Sequence, residues 1–292
     1  ITLMAHASND SYYIPHGSHW PLVGSVGLFT MLAGAANWLN GSSTGVYILA
    51  IGALTIIYMV FGWFGTVIRE SEAGIYNDDV DSSFRMGMMW FIFSEIMFFA
   101  VFFGVLFYAR TISIPWLGGD SNNFFTNTLL WESFTAEWPT NGPGNMGGEF
   151  EPMPPWPLPT INTIILLTSG ATITVAHHAI QAGHRRLLTT FLGLTWVLGF
   201  IFMACQAYEY YEAYAHLNLT LSSGMYGATF FMLTGFHGLH VTIGAIILMV
   251  IWLRCLRGHF KPEHHFGFEA AAWYWHFVDV VWLALYIFVY WV

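Results

Sequence analysis

The sequence predicts an all-α, polytopic membrane protein. Seven apolar runs, each close to the roughly 20 residues that cross a bilayer as a helix, occur along the 292 residues. Hydrophobic residues make up 56% of the chain and charged residues only 9%, far below the roughly 25% that is usual in soluble domains. The last stretch, residues 270–292, is apolar except for His276 and Asp279. So few charges could not cover the surface of a water-soluble protein, so the chain should lie in a membrane.

Polar connections separate the predicted spans. Residues 40–45 read Asn-Gly-Ser-Ser-Thr-Gly, a turn composition that predicts a tight hairpin of the first two spans. The fourth span is the most polar, since it is rich in Thr and contains His177 and His178. The seven predicted spans are 21–39, 46–68, 86–108, 160–182, 187–207, 226–253 and 270–292.

The basic residues predict the orientation of the chain. Of the 8 Lys and Arg residues, seven lie in the second, fourth and sixth connections, which share one face in a seven-span protein. Only Arg110 lies on the other face. Because positive residues collect on the cytoplasmic or matrix side of a membrane, the N-terminus should lie inside and Val292 outside.

The connection of residues 111–157 is the longest and is acidic. It contains five Asp and Glu residues, no Lys or Arg, and a Gly- and Pro-rich end. Its composition predicts an ordered or irregular outer loop that is not a second domain. Two interpretations remain open, a docking surface for a basic partner or an ordinary solvated loop.

Glu95 is the outstanding single residue of the sequence. It lies near the middle of the third span, where Ser94 is the only other clearly polar side chain, and its neighbours at 91, 92, 98 and 99 are apolar. Desolvation in such a place favours the neutral carboxyl. The functional interpretations are a proton relay or a site that binds lipid or reacts with an inhibitor. The structural alternative is a neutral acid that is hydrogen-bonded to a neighbouring helix.

Histidines occur in three predicted spans, and imidazole is a ligand for haem, copper and zinc. They are His237 and His240 in the sixth span, His177 and His178 in the fourth, and His276 beside Asp279 in the seventh. The Gly and Thr residues of the sixth span are typical of close helix packing, which favours packing and hydrogen-bonding roles for its histidines. The sequence contains no Cys-x-x-Cys-His haem attachment and no nucleotide fingerprint. We therefore expect no catalytic residue and no metal on this chain.

Aromatic and basic residues flank the inner ends of two spans. Trp63, Arg69 and Glu70 lie at the end of the second span, and Arg254, Arg257, His259 and Lys261 at the end of the sixth. Such groups at one depth can bind the phosphates of anionic lipids. Ordinary positive-inside topology would place the same charges without a bound lipid, so both interpretations stay open.

Several stretches together resemble one known family, cytochrome c oxidase subunit III. They occur in order over nearly the whole chain, and the last two are long and specific. The stretches are VIRES (67–71), FIFSEIMFF (91–99), LTSG (167–170) leading to AHH (176–178), YEYYEA (208–213), YGATFF (226–231), GFHGLHV (235–241) and HHFGFEA (264–270), which continues through Trp282.

The resemblance implies a seven-helix accessory subunit of a proton-pumping enzyme that reduces oxygen to water. It implies no redox centre on this chain, haem and copper on the partner subunits I and II, and bound structural phospholipids. The family's buried third-helix carboxylate matches Glu95. Its lipid cleft, between a two-helix and a five-helix bundle, matches Trp63, Arg69, Glu70, Arg254, Arg257 and His259.

The resemblance also implies how the chain is organised. We expect an N-terminal inner segment (1–20), a helical hairpin (21–68), an inner loop (69–85) and a five-helix bundle (86–292) with the outer loop 111–157. Phe64 departs from the family, which often has a second Trp there. The outer loop is longer than in mitochondrial members, which favours a bacterial plasma membrane over the alternative, the mitochondrial inner membrane.

Three other functions remain as alternatives. Subunit III of a quinol oxidase usually has five spans, so the two N-terminal spans count against it. A proton-coupled transporter using Glu95 should have interrupted helices and an internal repeat, and neither is visible. A membrane cytochrome would use the intramembrane histidines as haem ligands.

Overall fold

The prediction of an all-helical membrane protein is confirmed. The computed structural model describes Tyr13 and residues 17–291, and these contain helices and no strand. In that part of the chain, seven helical segments are long and apolar enough to cross a membrane. The predicted N-terminal segment 1–20 lies mostly outside the described residues. The α-helices are α1 (Trp20–Leu39), α2 (Thr44–Glu72), α3 (Asp78–Tyr108), α4 (Ile114–Leu117), α5 (Phe124–Leu130), α6 (Leu158–Gln181), α7 (Arg185–Ala215), α8 (Gly224–Arg257) and α9 (Phe266–Leu285), with π-helical turns at Ala109–Ser113 and Tyr286–Tyr290.

The chain divides into two compact units, and the first ends at Met86. Its main feature is an antiparallel hairpin of α1 and α2. Glycines allow their backbones to approach closely: a Cβ on Gly34 would collide with the backbone of Leu49, and one on Gly52 with that of Met31. Small residues at a helix contact are the usual means of tight packing in a membrane, where no hydrophobic effect drives helices together.

The connection between α2 and α3 is shorter than the predicted inner loop of residues 69–85. Helix α2 continues to Glu72, and α3 already begins at Asp78. The side chain of Asn77 accepts a hydrogen bond from the Val80 backbone amide at 3.1 Å. Asp78, Asp79 and Asp81 occupy the first turn of the helix, where negative charge is favourable. Polar residues therefore extend this helix beyond its apolar span.

The second unit, residues 87–292, contains the principal core. Its largest fully buried side chains include Trp275 and Trp282 of α9. Each indole N–H donates a hydrogen bond to a hydroxyl of α6: Trp275 to Ser169 Oγ at 2.9 Å and Trp282 to Thr163 Oγ1 at 2.9 Å. The polar atoms of these large residues are thus satisfied inside an apolar bundle.

The outer loop 111–157 is ordered and belongs to the second unit. It contains the short helices α4 and α5 and a long irregular stretch. Backbone and side-chain bonds attach it to the connection between α7 and α8: Glu151 N donates to Leu217 O at 2.9 Å, and Asn218 Nδ2 donates to Glu149 O at 2.8 Å. The loop is therefore part of the bundle's end.

Candidate functional site

Glu95 of α3 has a partner on another helix. Its Oε2 lies 2.9 Å from Nε2 of His240, which α8 contributes. Residue His240 is only 9% exposed, and the Glu95 side chain is 21% exposed. The structural alternative for Glu95, a hydrogen bond to a neighbouring helix, is therefore present in the structure.

The second ring nitrogen of His240 determines how many protons the pair holds. Nδ1 lies 2.6 Å from the backbone oxygen of Phe236. A carbonyl oxygen can only accept, so Nδ1 carries a hydrogen. Nε2 then either accepts a hydrogen bond from a neutral Glu95 carboxyl or, as part of an imidazolium, donates one to a carboxylate. Both arrangements contain the same number of protons, so the pair is neutral in either.

Aromatic rings surround this pair. The ring centroids of Phe98 and Phe99 lie 5.9 and 5.0 Å from that of the His240 imidazole, and the Tyr274 ring is stacked on it at 6.3 Å. A neutral acid–base pair avoids the cost of an isolated charge in such a setting. It also holds one proton between two acceptors, which is the chemistry that a proton relay needs.

In the first unit, the predicted lipid-binding residues lie near the end of α2. Trp63 and Phe64 are exposed, and their rings are stacked at 6.2 Å. Arg69 is exposed and donates a hydrogen bond to Thr66 Oγ1 at 3.1 Å. The same helix therefore carries an exposed aromatic pair and, between one and two turns nearer its C-terminal end, an exposed cation.

Glu70 is held by two phenols. Tyr76 donates a hydrogen bond to its Oε2 at 2.6 Å, and Tyr13 donates one to its Oε1 at 3.2 Å. Burial, together with the Glu70 carboxylate, raises the pKa of the Tyr76 phenol. Both carboxylate oxygens of Glu70 thus accept hydrogen bonds from this chain itself. This supports a structural role for Glu70 beside the lipid-binding role that the sequence suggests.

In the second unit, the predicted lipid-binding residues lie where α8 ends. The guanidinium of Arg254 lies over the Phe260 ring, 4.4 Å from its centroid, a cation–π geometry. Arg257 is exposed, and His259 is half-buried. Arg185 of α7 donates a hydrogen bond to the backbone oxygen of Cys255 at 2.9 Å, which stabilises the C-terminal end of α8.

Two further intramembrane histidines, His237 and His276, have polar partners on neighbouring helices or on their own helix. Fully buried His237 donates from Nε2 to Val278 O at 3.2 Å. The His276 side chain is 46% exposed, and its Nδ1 lies 3.4 Å from Asp279 Oδ2.

Sequence reasoning missed one buried carboxylate. Glu209 of α7 is fully buried and accepts a hydrogen bond from Tyr290. The sequence feature that could have identified Glu209 is its position within the tyrosine-rich stretch 208–214.

The comparisons with known proteins agree on one family. A family model described as cytochrome c oxidase subunit III matches residues 10–292. The chain is 42% identical to the cytochrome c oxidase subunit 3 of Carassius auratus and of Equus caballus, in each case over 289 residues that cover 99% of both chains. It is also 42% identical over 292 residues to that of Gadus morhua, covering 100% of this chain and 99% of the relative.

Proposed function

Since the chain belongs to the cytochrome c oxidase subunit III family, and is thus an accessory subunit of that oxidase complex, we propose that its Glu95–His240 pair supports proton uptake. Membership of the family implies no redox centre on this chain. The quinol oxidase and transporter alternatives are not favoured. The contribution of the chain must therefore come from protons, lipids or the stability of its partners.

The observation that carries the proposal is the contact between Glu95 and His240. An acid and a base meet at 2.9 Å within an aromatic environment. Ionisable groups inside membrane spans are costly, and they commonly mark proton relays. No packing role requires both members of the pair to be ionisable, since two amides of similar size would fill the same space.

Glu95→Gln tests this proposal in the complete oxidase complex. The amide keeps the size of the side chain and can donate to His240 Nε2, but it cannot release a proton. Because the redox centres are expected on other subunits, we expect electron transfer to stay within about twofold of the unmodified rate. A twofold change corresponds to less than about 0.5 kcal/mol in the barrier. We expect fewer protons to be pumped per electron and a shorter working life during turnover.

The matched control is Glu132→Gln, which changes an exposed carboxylate of the outer loop. It should leave pumping and working life unchanged. If Glu95→Gln behaves like this control, Glu95 is only a packing acid. If it abolishes oxygen reduction outright, the proposed supporting role is wrong.

We also propose that this chain binds phospholipid phosphates through Arg69 at the end of α2 and through Arg254 and Arg257 at the end of α8. The exposure of Arg69, and of the aromatic pair Trp63 and Phe64 on the same helix, supports the first site. At the second site, two cations of one helix turn lie near Arg185. Guanidinium groups bind phosphate with charge-assisted, often bidentate hydrogen bonds.

Within the oxidase complex, subunit I is the proposed main contact and subunit II a further partner. For the location, we propose the mitochondrial inner membrane, with the basic connections on the matrix side. The animal origin of the similar subunits supports this location. A bacterial plasma membrane is the alternative, and fractionation of the source cells distinguishes the two.

A further inference from the structure

The ends of α6 and α9 bring together two histidines and a carboxylate that are distant in the sequence. His177 lies one turn before the end of α6, His265 immediately precedes α9, and Glu269 is in the first turn of α9. One ligand atom of each lies within 4.8 Å of the other two. We propose that these three side chains form a binding site for a divalent transition metal, with Zn²⁺ as the best fit.

The distances between the ligand atoms suit a tetrahedral ion. His265 Nε2 lies 3.1 Å from Glu269 Oε1, and His177 Nε2 lies 3.7 Å from the same oxygen. Bond lengths of about 2.0–2.2 Å to Zn²⁺ imply a separation of about 3.3 Å between neighbouring tetrahedral ligands. The two distances to Glu269 lie on either side of this value, and the ligand nitrogens of His177 and His265 lie within 4.8 Å of each other. Small side-chain rotations would therefore complete the geometry.

The hydrogen bonding of His265 points to a ligand. His265 is only 8% exposed. Within the described part of the chain, neither of its ring nitrogens has a hydrogen-bond partner. The close approach of its Nε2 to Glu269 therefore does not have hydrogen-bond geometry. Buried polar nitrogens are rarely left without a partner. A metal ion between the imidazole and the Glu269 carboxylate would give His265 Nε2 a partner.

The donor set determines the class of metal. Two imidazole nitrogens and one carboxylate oxygen are the protein ligands of many zinc sites that keep a fourth position for water. The hard cations Ca²⁺ and Mg²⁺ require mainly oxygen ligands, so two imidazoles disfavour them. The His177 side chain is 27% exposed, whereas His265 is buried. We therefore expect the ion to enter, and its fourth ligand, a water molecule, to bind, next to His177.

A bound ion would have a defined structural effect. It would connect the end of α6 to the start of α9, two helices that the indole–hydroxyl bonds of Trp275 and Trp282 already join deeper in the unit. Because the ion binds the folded arrangement, it should stabilise this end of the bundle. The inference does not depend on the proposed role of Glu95.

Metal content measures the site directly. The oxidase complex, purified in mild detergent, is treated with a chelator, equilibrated with ZnCl₂, desalted and analysed by mass spectrometry of its metals. We expect His265→Ala to contain about one Zn²⁺ fewer per complex than the unmodified protein, because it lacks one of the three ligands. His184→Ala, which changes an exposed histidine just after α6, should retain the full content.

Glu269→Gln and His177→Gln provide a second test, which remains valid if His265→Ala fails to assemble. Each should lose the same equivalent of zinc. In the unmodified complex and in His184→Ala, ZnCl₂ should raise the thermal midpoint, whereas in the ligand variants it should not. Equal zinc content in the unmodified complex and in both Gln variants would overturn the proposal.

Discussion

Tyr290, near the C-terminal end of the chain, donates a hydrogen bond to Oε1 of Glu209 in α7, and both side chains are buried. The two residues are 81 positions apart in the sequence. The bond therefore joins the π-helical turn that follows α9 to the interior of the bundle. It also gives a partner to one oxygen of a carboxyl that would be costly to bury alone.

Tyr290→Phe should destabilise the bundle. The phenyl ring fills nearly the same space but leaves the Glu209 carboxyl without its donor, so we expect a loss of about 1–3 kcal/mol. The thermal midpoint of the purified complex measures this loss. Tyr211→Phe, at a position that is 61% exposed, is the control and should have little effect. Equal midpoints for the two variants would contradict a stabilising role of the bond.

Glu95 should react with an apolar carbodiimide. The reagent needs a protonated carboxyl and an apolar route, and the pair formed with His240 allows a neutral acid among aromatic rings. Peptide mapping should therefore find the modification at Glu95 and none at exposed Glu132. A water-soluble carbodiimide should show the opposite preference. Modification of Glu132 alone by the apolar reagent would rule out a neutral, accessible Glu95.

The proposed lipid sites can be measured by phospholipid content. Arg69→Ala and Arg254→Ala should each lower the number of retained phospholipids by about one per complex, since each removes a charged donor to phosphate. Arg110→Ala removes the only cation predicted on the opposite face and should retain them all. If all three variants keep the same lipid content, the positive-inside rule alone explains the positions of Arg69 and Arg254, and the lipid sites are refuted.

The predicted orientation can be tested with single cysteines. Ala73 and Ser133 are exposed, in the α2–α3 connection and the outer loop respectively. In sealed vesicles, a membrane-impermeant maleimide should label Ala73→Cys and Ser133→Cys from opposite sides, because the positive-inside rule places the α2–α3 connection inside. Labelling of both from one side would contradict the seven-span topology.

The sequence predicts the spans better than the contacts between them. Hydropathy identifies a membrane helix from its own residues, and all seven helices are present. The partner of Glu95 depends on the rotation and depth of α8 relative to α3, and neither is visible within one helix. For the same reason, the grouping of His177 with His265 was not predicted. The polar extension of α3 was missed because an apolar scan stops where aspartates begin.

The tryptophan–hydroxyl bonds between α6 and α9 have a consequence for how the protein is made. Ser169 and Thr163 each donate their own hydroxyl hydrogen to the α6 backbone, to Leu166 O at 2.6 Å and Pro159 O at 2.8 Å. Both hydroxyls can therefore enter the lipid phase with their donors already satisfied, long before α9 leaves the ribosome. When α9 arrives, each oxygen still has a lone pair to accept an indole N–H. Helix α9 can thus be selected by unused acceptors on α6, and neither of these two hydroxyl hydrogens has to face lipid without a partner beforehand.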